Sequence, residues 1–254
     1  MTARPCGLAA RPAMRRAALE LALVWALFNV YRLGRSLARH QEGAALAHGR
    51  AVHRMEALLH LPSEAGIQNY VGSANLFQLA DIYYVSVHFP VTAAFLVWGF
   101  VCRPRREYQW ARNLLVLQTS AALVLHIAYP LAPPRMFPSF GFVDTMSVFG
   151  PSAYNGPVAD VANQYAAMPS LHVGWAFTIA LVVWRTRPGP MAALAAAHAA
   201  ITVAVVLITA NHWLLDCAVG VLLVFGAEAL LRAAHASPVA EERPEGPASP
   251  GRRS

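Results

Sequence analysis

The sequence predicts an all-α integral membrane protein: a bundle of six transmembrane helices with one additional amphipathic helix on the membrane surface. Two observations carry this prediction. Of the 254 residues, 57% are hydrophobic and only 13% are charged, which is about half the charged fraction of a typical soluble domain. The apolar residues also form long blocks, most of which are long enough to cross a hydrocarbon core about 30 Å thick.

Six apolar runs are the predicted spans. They cover about residues 17–33, 82–102, 113–131, 171–184, 191–210 and 213–230. The fourth run is short for a bilayer. Between the first and second runs, at about 42–61, apolar residues recur at helical spacing while arginines and histidines take the other faces. That pattern is typical of a helix that lies along a membrane surface or packs beside the spans.

A single membrane domain at 17–235 accounts for most of the chain, and its motif-bearing core is about 80–232. Residues 1–16 are expected to form a cytoplasmic segment. Residues 236–254, which combine prolines with alternating charge, are expected to be a disordered tail. The three cysteines, Cys6, Cys102 and Cys217, lack metal-ligand spacing. The sequence therefore predicts neither a metal site nor a cofactor.

The net charge of +7 comes from arginine alone, since the chain contains no lysine. The arginines lie before the first run and in short loops, which is a juxtamembrane pattern and excludes a nucleic-acid-binding face. They favour a cytoplasmic N-terminus, although the arginines of 32–54 oppose this orientation. The long loop 132–167 would then face outward. The abundance of Ala, Arg, Gly and Pro indicates a GC-rich bacterial genome, and hence a bacterial plasma membrane.

The segment Asn211-His212-Trp-Leu-Leu-Asp216 opens the last apolar run. Residues four apart on a helix share a face, with about 6 Å between Cβ atoms. The aspartate can therefore fix the tautomer of the imidazole and leave its other nitrogen free to attack or to take a proton. The alternative is a polar pair that ties two spans together.

The segment Met168-Pro169-Ser170-Leu-His172 opens the fourth run. Ser170 is a natural helix cap, and the amides of a first helical turn form an anion site. His172 can protonate a leaving oxygen from this turn. A capping serine with an interfacial histidine would produce the same pattern without any function.

A third segment, Tyr129-Pro-Leu-Ala-Pro-Pro-Arg135, follows the third run. The planar guanidinium of Arg135 suits phosphate oxygens, although an arginine at the end of a span is more often an interfacial anchor. Asp144, in the long loop, is expected to be a solvated residue rather than part of an acceptor site.

Together, the proline–arginine loop, Pro-Ser-Leu-His and His-x-x-x-Asp resemble the type 2 phosphatidic acid phosphatase superfamily. The Met-Pro-Ser-Leu-His form is most similar to its inositol phosphorylceramide synthase-like branch, here in a bacterial member. The resemblance implies that His212 is the nucleophile that forms a phosphohistidine, that Asp216 orients it, and that His172 is the general acid. Ser170, Arg135, Tyr129 and Asn211 would bind the phosphate or the substrate.

Two family features are missing. The wider family has a lysine before an Arg-Pro pair, and an arginine six residues before the nucleophile, where this chain has Val206. Either another arginine such as Arg112 compensates, or the substrate is a diester with less charge.

The sequence thus predicts a metal-independent lipid phosphatase or phosphotransferase that moves a phosphoryl or phospho-head group, such as phosphoinositol. Its partners would be a membrane lipid donor and either water or a polyol or lipid alcohol as acceptor. The rival hypothesis is a small transporter or channel whose histidines relay protons.

Overall fold

The computed structural model describes residues 10–38, 41–151 and 164–236, and within these ranges the fold is all-α. The helices, in chain order, are α1 (Ala10–Ala38), α2 (Glu42–Leu58), α3 (Glu64–Val71), α4 (Ala74–Ser86), α5 (His88–Cys102), α6 (Arg105–Ala128), α7 (Thr145–Val148), α8 (Leu171–Thr186), α9 (Pro190–Ile208) and α10 (Leu214–Ala236). Two 3₁₀ turns, Pro134–Met136 and Pro138–Phe140, lie in the loop after α6.

Four helical segments of the described chain are long and apolar enough to cross a membrane. They are Ala74–Cys102, Arg105–Ala128, Pro190–Ile208 and Leu214–Ala234. Helix α8 is apolar but has only 16 residues. The expected first span, 17–33, falls within α1, which is not one of these four segments. Six spans are therefore not confirmed.

The second span is two helices in series. Helices α4 and α5 meet at Val87, three residues before Pro90. Proline has no N–H to donate to the carbonyl of Ser86, so the helical hydrogen-bond ladder is interrupted here. The break places polar side chains of both helices, Tyr84 and His88, beside the N-terminal turn of α8.

Helix α8 packs against α5, α6, α9 and α10. Its contact with α10 depends on two glycines. A Cβ on Gly220 would lie 2.6 Å from the carbonyl oxygen of Ser170, and a Cβ on Gly174 would lie 3.4 Å from the carbonyl oxygen of Gly220. Small residues let membrane helices approach closely. The first turns of α8 and α10, which carry the two histidine motifs, are thereby brought together.

Helix α2 is the expected amphipathic helix, but it does not lie free on a surface. Its buried residues, Ala45, Gly49, Val52 and Glu56, form a stripe at helical spacing. Gly49 faces the ring of Phe137 so closely that an added Cβ would lie 2.5 Å from it. The stripe packs against the proline-rich loop, so the prediction of a separate surface helix is not confirmed.

The expected terminal segments are only partly covered by the described residues. Residues 1–9 and 237–254, which include nearly all of the expected disordered tail, lie outside them. Residues 10–16 of the expected cytoplasmic segment belong to α1.

Candidate active site

Two loops meet at the end of the bundle where α8 and α10 begin. The N–H of Leu131 donates to the carbonyl of Tyr165 at 2.7 Å, and the N–H of Ala167 donates to the carbonyl of Leu131 at 3.2 Å. These bonds pair the loop after α6 with the segment that leads into α8. Their effect is to hold the Ala167 carbonyl in place next to the start of α10.

His212 is buried at this junction, with 5% of its surface exposed. Its Nδ1 lies 2.8 Å from the carbonyl oxygen of Ala167. A carbonyl only accepts hydrogen bonds, so Nδ1 carries the proton and the neutral imidazole keeps its lone pair on Nε2. This is the tautomer that a histidine nucleophile needs.

His212 lies two residues before α10 begins, and Asp216 lies in the first turn of that helix. Its Oδ2 is 3.6 Å from Nδ1 of His212 and accepts a 2.9 Å hydrogen bond from the N–H of Trp213. The carboxylate therefore caps the first turn of α10 and places a negative charge beside the imidazole. The closest acceptor of the Nδ1 proton is the Ala167 carbonyl, a backbone group with no signature in the sequence.

Ser170 joins the two motifs through its backbone as well as its side chain. Its Oγ accepts the N–H of Val173 at 3.4 Å, which is the expected cap of α8. Its own N–H donates to the carbonyl of Asp216 at 3.0 Å. On the other side, Nε2 of His126 donates to the carbonyl of Pro169 at 3.1 Å. The segment before α8 is thus held by both α6 and α10.

His172 lies in the first turn of α8, and its ring centroid is 5.9 Å from that of His212. It stacks on Tyr84 at 4.3 Å and lies 4.5 Å from His88. Its Nε2 is buried and makes no hydrogen bond to any described residue. The separation of the two histidines is well under the roughly 10 Å beyond which they cannot serve one reacting group.

The side chains of Arg135 and Asn211, the residue before His212, are hydrogen-bonded to each other. Nε of Arg135 donates to Oδ1 of Asn211 at 3.1 Å, and the backbone N–H of Arg135 donates to the carbonyl of Ala210 at 2.9 Å. Arg135 also lies 3.5 Å from Oδ2 of Asp144. Asp144 was expected to be a solvated loop residue, but it is ion-paired to Arg135, a contact between loop positions that sequence spacing does not reveal.

Tyr129 ends the turn after α6 and stacks on the ring of His48 with centroids 4.0 Å apart. Burial raises the pKa of its phenol, and the nearby charge of Asp216 raises it further. The hydroxyl therefore stays protonated and keeps its ability to donate a hydrogen bond.

The structure also shows the surroundings of Val206, which replaces a family arginine, and of Arg112, the arginine considered as its substitute. Val206 is fully buried, and its carbonyl accepts the N–H groups of Asn211 and His212 at 3.1 and 3.3 Å. Arg112 does not reach the site. It donates to Oε1 of Glu20 at 2.7 Å, and fourteen residues of α6, about 21 Å of helix, separate it from His126. Arg112 is therefore not the missing phosphate cation.

Two buried glutamates complete the surroundings of His212 and were missed in the sequence. Glu64 and Glu56 accept the N–H groups of Leu214 and Leu215, each at 2.8 Å. A signal for Glu56 was present, since it falls on the apolar stripe of α2 with Ala45, Gly49 and Val52. An acidic residue on such a stripe indicates a buried partner.

Fold and site together define a polytopic helical membrane protein with a centre of two histidines and one aspartate at the junction of α8 and α10. A family model described as the PAP2 superfamily matches residues 50–230. The chain belongs to this superfamily, and membership indicates phosphatase-type activity on phospholipid-like substrates. The searches of curated proteins and of solved structures found no match.

Proposed function

We propose that this protein transfers a phosphoryl or phospho-head group from a membrane lipid through a phosphohistidine on His212. The observation that carries the proposal is the 2.8 Å hydrogen bond from Nδ1 of His212 to Ala167. This bond leaves Nε2 as the nucleophilic nitrogen, and it lies on a ring 5.9 Å from that of His172.

In the first step, Nε2 of His212 attacks phosphorus and the bond from phosphorus to the leaving oxygen breaks. His172 donates its proton to that oxygen, so the product leaves as a neutral alcohol. The positive charge that develops on the His212 ring is balanced by Asp216, 3.6 Å from Nδ1.

In the second step, water or an alcohol attacks the phosphohistidine and the P–N bond breaks. His172, now neutral, accepts the proton of the attacking hydroxyl. Both steps use only imidazole acid–base chemistry, so we expect turnover to survive EDTA.

The charge of the site favours a diester donor, and with it head-group transfer as in the inositol phosphorylceramide synthase-like branch. A phosphomonoester carries up to two negative charges and a diester carries one. Here a buried valine occupies the position of one family arginine, and the chain has no lysine. The charge of Arg135 is partly balanced by Asp144, which lies 3.5 Å away. Such a site stabilises one negative charge better than two. We place it on the extracytoplasmic face of a bacterial plasma membrane.

The test presents the purified full-length protein in vesicles with head-group-labelled phosphatidylinositol or phosphatidic acid, with and without an alcohol acceptor. We expect transfer of the diester head group to the acceptor, and formation of an acid-labile, base-stable phosphoprotein in the wild type. Release of phosphate from phosphatidic acid alone would identify a phosphatase instead.

The decisive variant is His212→Asn. The asparagine amide can still donate to the Ala167 carbonyl, so the fold is kept while the nucleophile is lost, and both turnover and phosphoprotein should disappear. His60→Asn is the control: His60 is exposed with a φ of 53°, a conformation that asparagine tolerates. Turnover retained in His212→Asn would contradict the mechanism, and proton flux without any transfer would favour the transporter hypothesis.

A further inference from the structure

Glu56 and Glu64 are buried side by side, on two different helices, against the start of α10. Glu56 lies near the C-terminal end of α2 and is 4% exposed. Glu64 is the first residue of α3 and is 1% exposed. Acidic side chains are almost never this buried without a specific partner.

Their partners are the free amides of the helix that follows the nucleophile. The N–H of Trp213 donates to Asp216 at 2.9 Å. The N–H of Leu214 donates to Glu64, and the N–H of Leu215 donates to Glu56, each at 2.8 Å. Three consecutive amides, beginning at the residue after His212, are therefore each bound by a different carboxyl group. The first amides of a helix have no partner within the helix, and the helix dipole favours negative charge there.

This arrangement limits how the backbone at His212 can move. The N–H of His212 is anchored to Val206 and its ring to Ala167. The amides of the next three residues are bound by three different helices: Trp213 by Asp216 of α10, Leu214 by Glu64 of α3, and Leu215 by Glu56 of α2. A shift of α2 or α3 would therefore move the peptide that carries His212 relative to His172, which is held by a different helix.

We propose that Glu56 and Glu64 are positioning residues of the phosphoryl-transfer site, which hold the first turn of α10 and so keep His212 aligned with His172. The proposal rests on the proposed function for the reaction that is being aligned. It does not make either glutamate a catalytic residue, because neither contacts the reacting atoms.

The alignment should be lost in alkaline solution, because Glu56 holds a proton that it releases as the pH rises. The two carboxyl groups lie within hydrogen-bonding reach of each other. Burial is the main reason that the pKa of Glu56 is raised to about 8. The hydrogen bond from the N–H of Leu215 lowers this pKa, whereas the charges of Glu64 and Asp216 raise it. The titratable groups that face Glu56 are Glu64 from α3 and Asp216 and Cys217 from α10. Loss of the Glu56 proton would add a negative charge beside other carboxyl groups in one buried site, which drives the helices apart.

The test measures kcat and KM of the full-length protein from about pH 6 to about pH 9.5. The variants are Glu56→Gln and Glu64→Gln, which keep a hydrogen-bond acceptor but cannot ionise, and Glu56→Leu, which lacks the acceptor. Glu42→Gln, at the exposed start of the same α2, is the control.

In the wild type we expect kcat to fall as pH rises through about 8, and this alkaline limb to be absent or shifted upward in Glu56→Gln. Glu56→Leu should lose kcat by at least about tenfold, with KM changed by less than about threefold, since misalignment affects the reaction rather than binding. An unchanged alkaline limb in Glu56→Gln, or a wild-type kcat in folded Glu56→Leu, would overturn the proposal.

A second measurement separates this proposal from the proposed function. In protein labelled with ¹⁵N at histidine, the ring signals of His212, assigned by their absence in His212→Asn, should shift above about pH 8 in the wild type and not in Glu56→Gln. If the signals behave in this way but no lipid is turned over, the proposed function fails and the positioning stands. If they do not respond to Glu56, the positioning fails whether or not lipid is turned over.

Discussion

The backbone N–H of Ser170 donates a 3.0 Å hydrogen bond to the carbonyl oxygen of Asp216. These residues belong to the two histidine motifs, so the bond joins the start of α8 directly to the first turn of α10. Each residue also uses its side chain as a cap within its own helix. The distance between the two histidines therefore depends on how closely the helices approach, and not only on the catalytic side chains.

Replacing Gly220 by alanine should disrupt this approach. The new Cβ would lie 2.6 Å from the carbonyl oxygen of Ser170, which forces α8 and α10 apart and costs about 1–3 kcal/mol. Thermal unfolding in detergent should show the loss of stability, and phosphoryl transfer should fall with it. Gly226→Ala on the same helix is the control, because no atom lies within 4 Å of its added Cβ. Equal behaviour of the two variants would argue against the close contact.

Asp216→Asn should separate the two roles of this carboxylate. The asparagine oxygen can still accept the N–H of Trp213, while the charge 3.6 Å from Nδ1 of His212 is removed. We expect kcat to fall by about 10- to 100-fold. This loss is smaller than in enzymes whose aspartate also fixes the histidine tautomer, because here the Ala167 carbonyl does so.

Asp216→Ala should lower kcat and also destabilise the protein by about 1–3 kcal/mol, because it leaves the buried N–H of Trp213 without an acceptor. Steady-state kinetics and thermal unfolding of both variants test this difference. An Asp216→Asn variant with the kcat of the wild type would show that the charge has no role in the reaction.

Arg135→Lys should weaken substrate binding. Lysine cannot reproduce the hydrogen bond from Nε to Asn211 or the planar fork that suits phosphate oxygens. Loss of one charge-assisted bond predicts a KM raised by about tenfold. Arg112→Lys is the matched control at the other end of α6, where the ion pair with Glu20 can be kept. A KM that rises equally in both variants would point to a general loss of structure.

The stability of the fold should depend on pH through Glu56. Its pKa is raised from 4.5 to about 8, so the folded protein holds a proton that the unfolded chain releases. This contribution is fully present below pH 4.5 and falls by about 1.4 kcal/mol per pH unit as the pH rises toward about 8, where it levels off. Thermal unfolding of Glu56→Gln should lack this dependence, and Glu42→Gln should keep it. A pH dependence that is the same in Glu56→Gln as in the wild type would contradict the assignment.

The local spacing of residues predicted the elements that carry the site. His212 does lie next to Asp216, and Ser170 does cap α8, because both relations are set within four residues of the start of one helix. The six spans predicted from apolar runs are not confirmed, since four segments of the described chain are long and apolar enough to cross a membrane. Composition does not reveal that α4 and α5 form one interrupted span.

The sequence by itself determined that this is a helical membrane protein of the PAP2 superfamily, and which histidines and aspartate to examine, because hydropathy and short motifs are local properties. Only the tertiary structure decided what holds His212. The Ala167 carbonyl binds its ring, and Glu56 and Glu64 bind the amides of Leu215 and Leu214 just after it. These three groups are 45, 156 and 148 residues away from His212 along the chain. These partners meet because glycine contacts and backbone hydrogen bonds bring separate helices together. The helical spacing of Glu56 shows that it is buried, but no local pattern in the sequence shows which residues it meets.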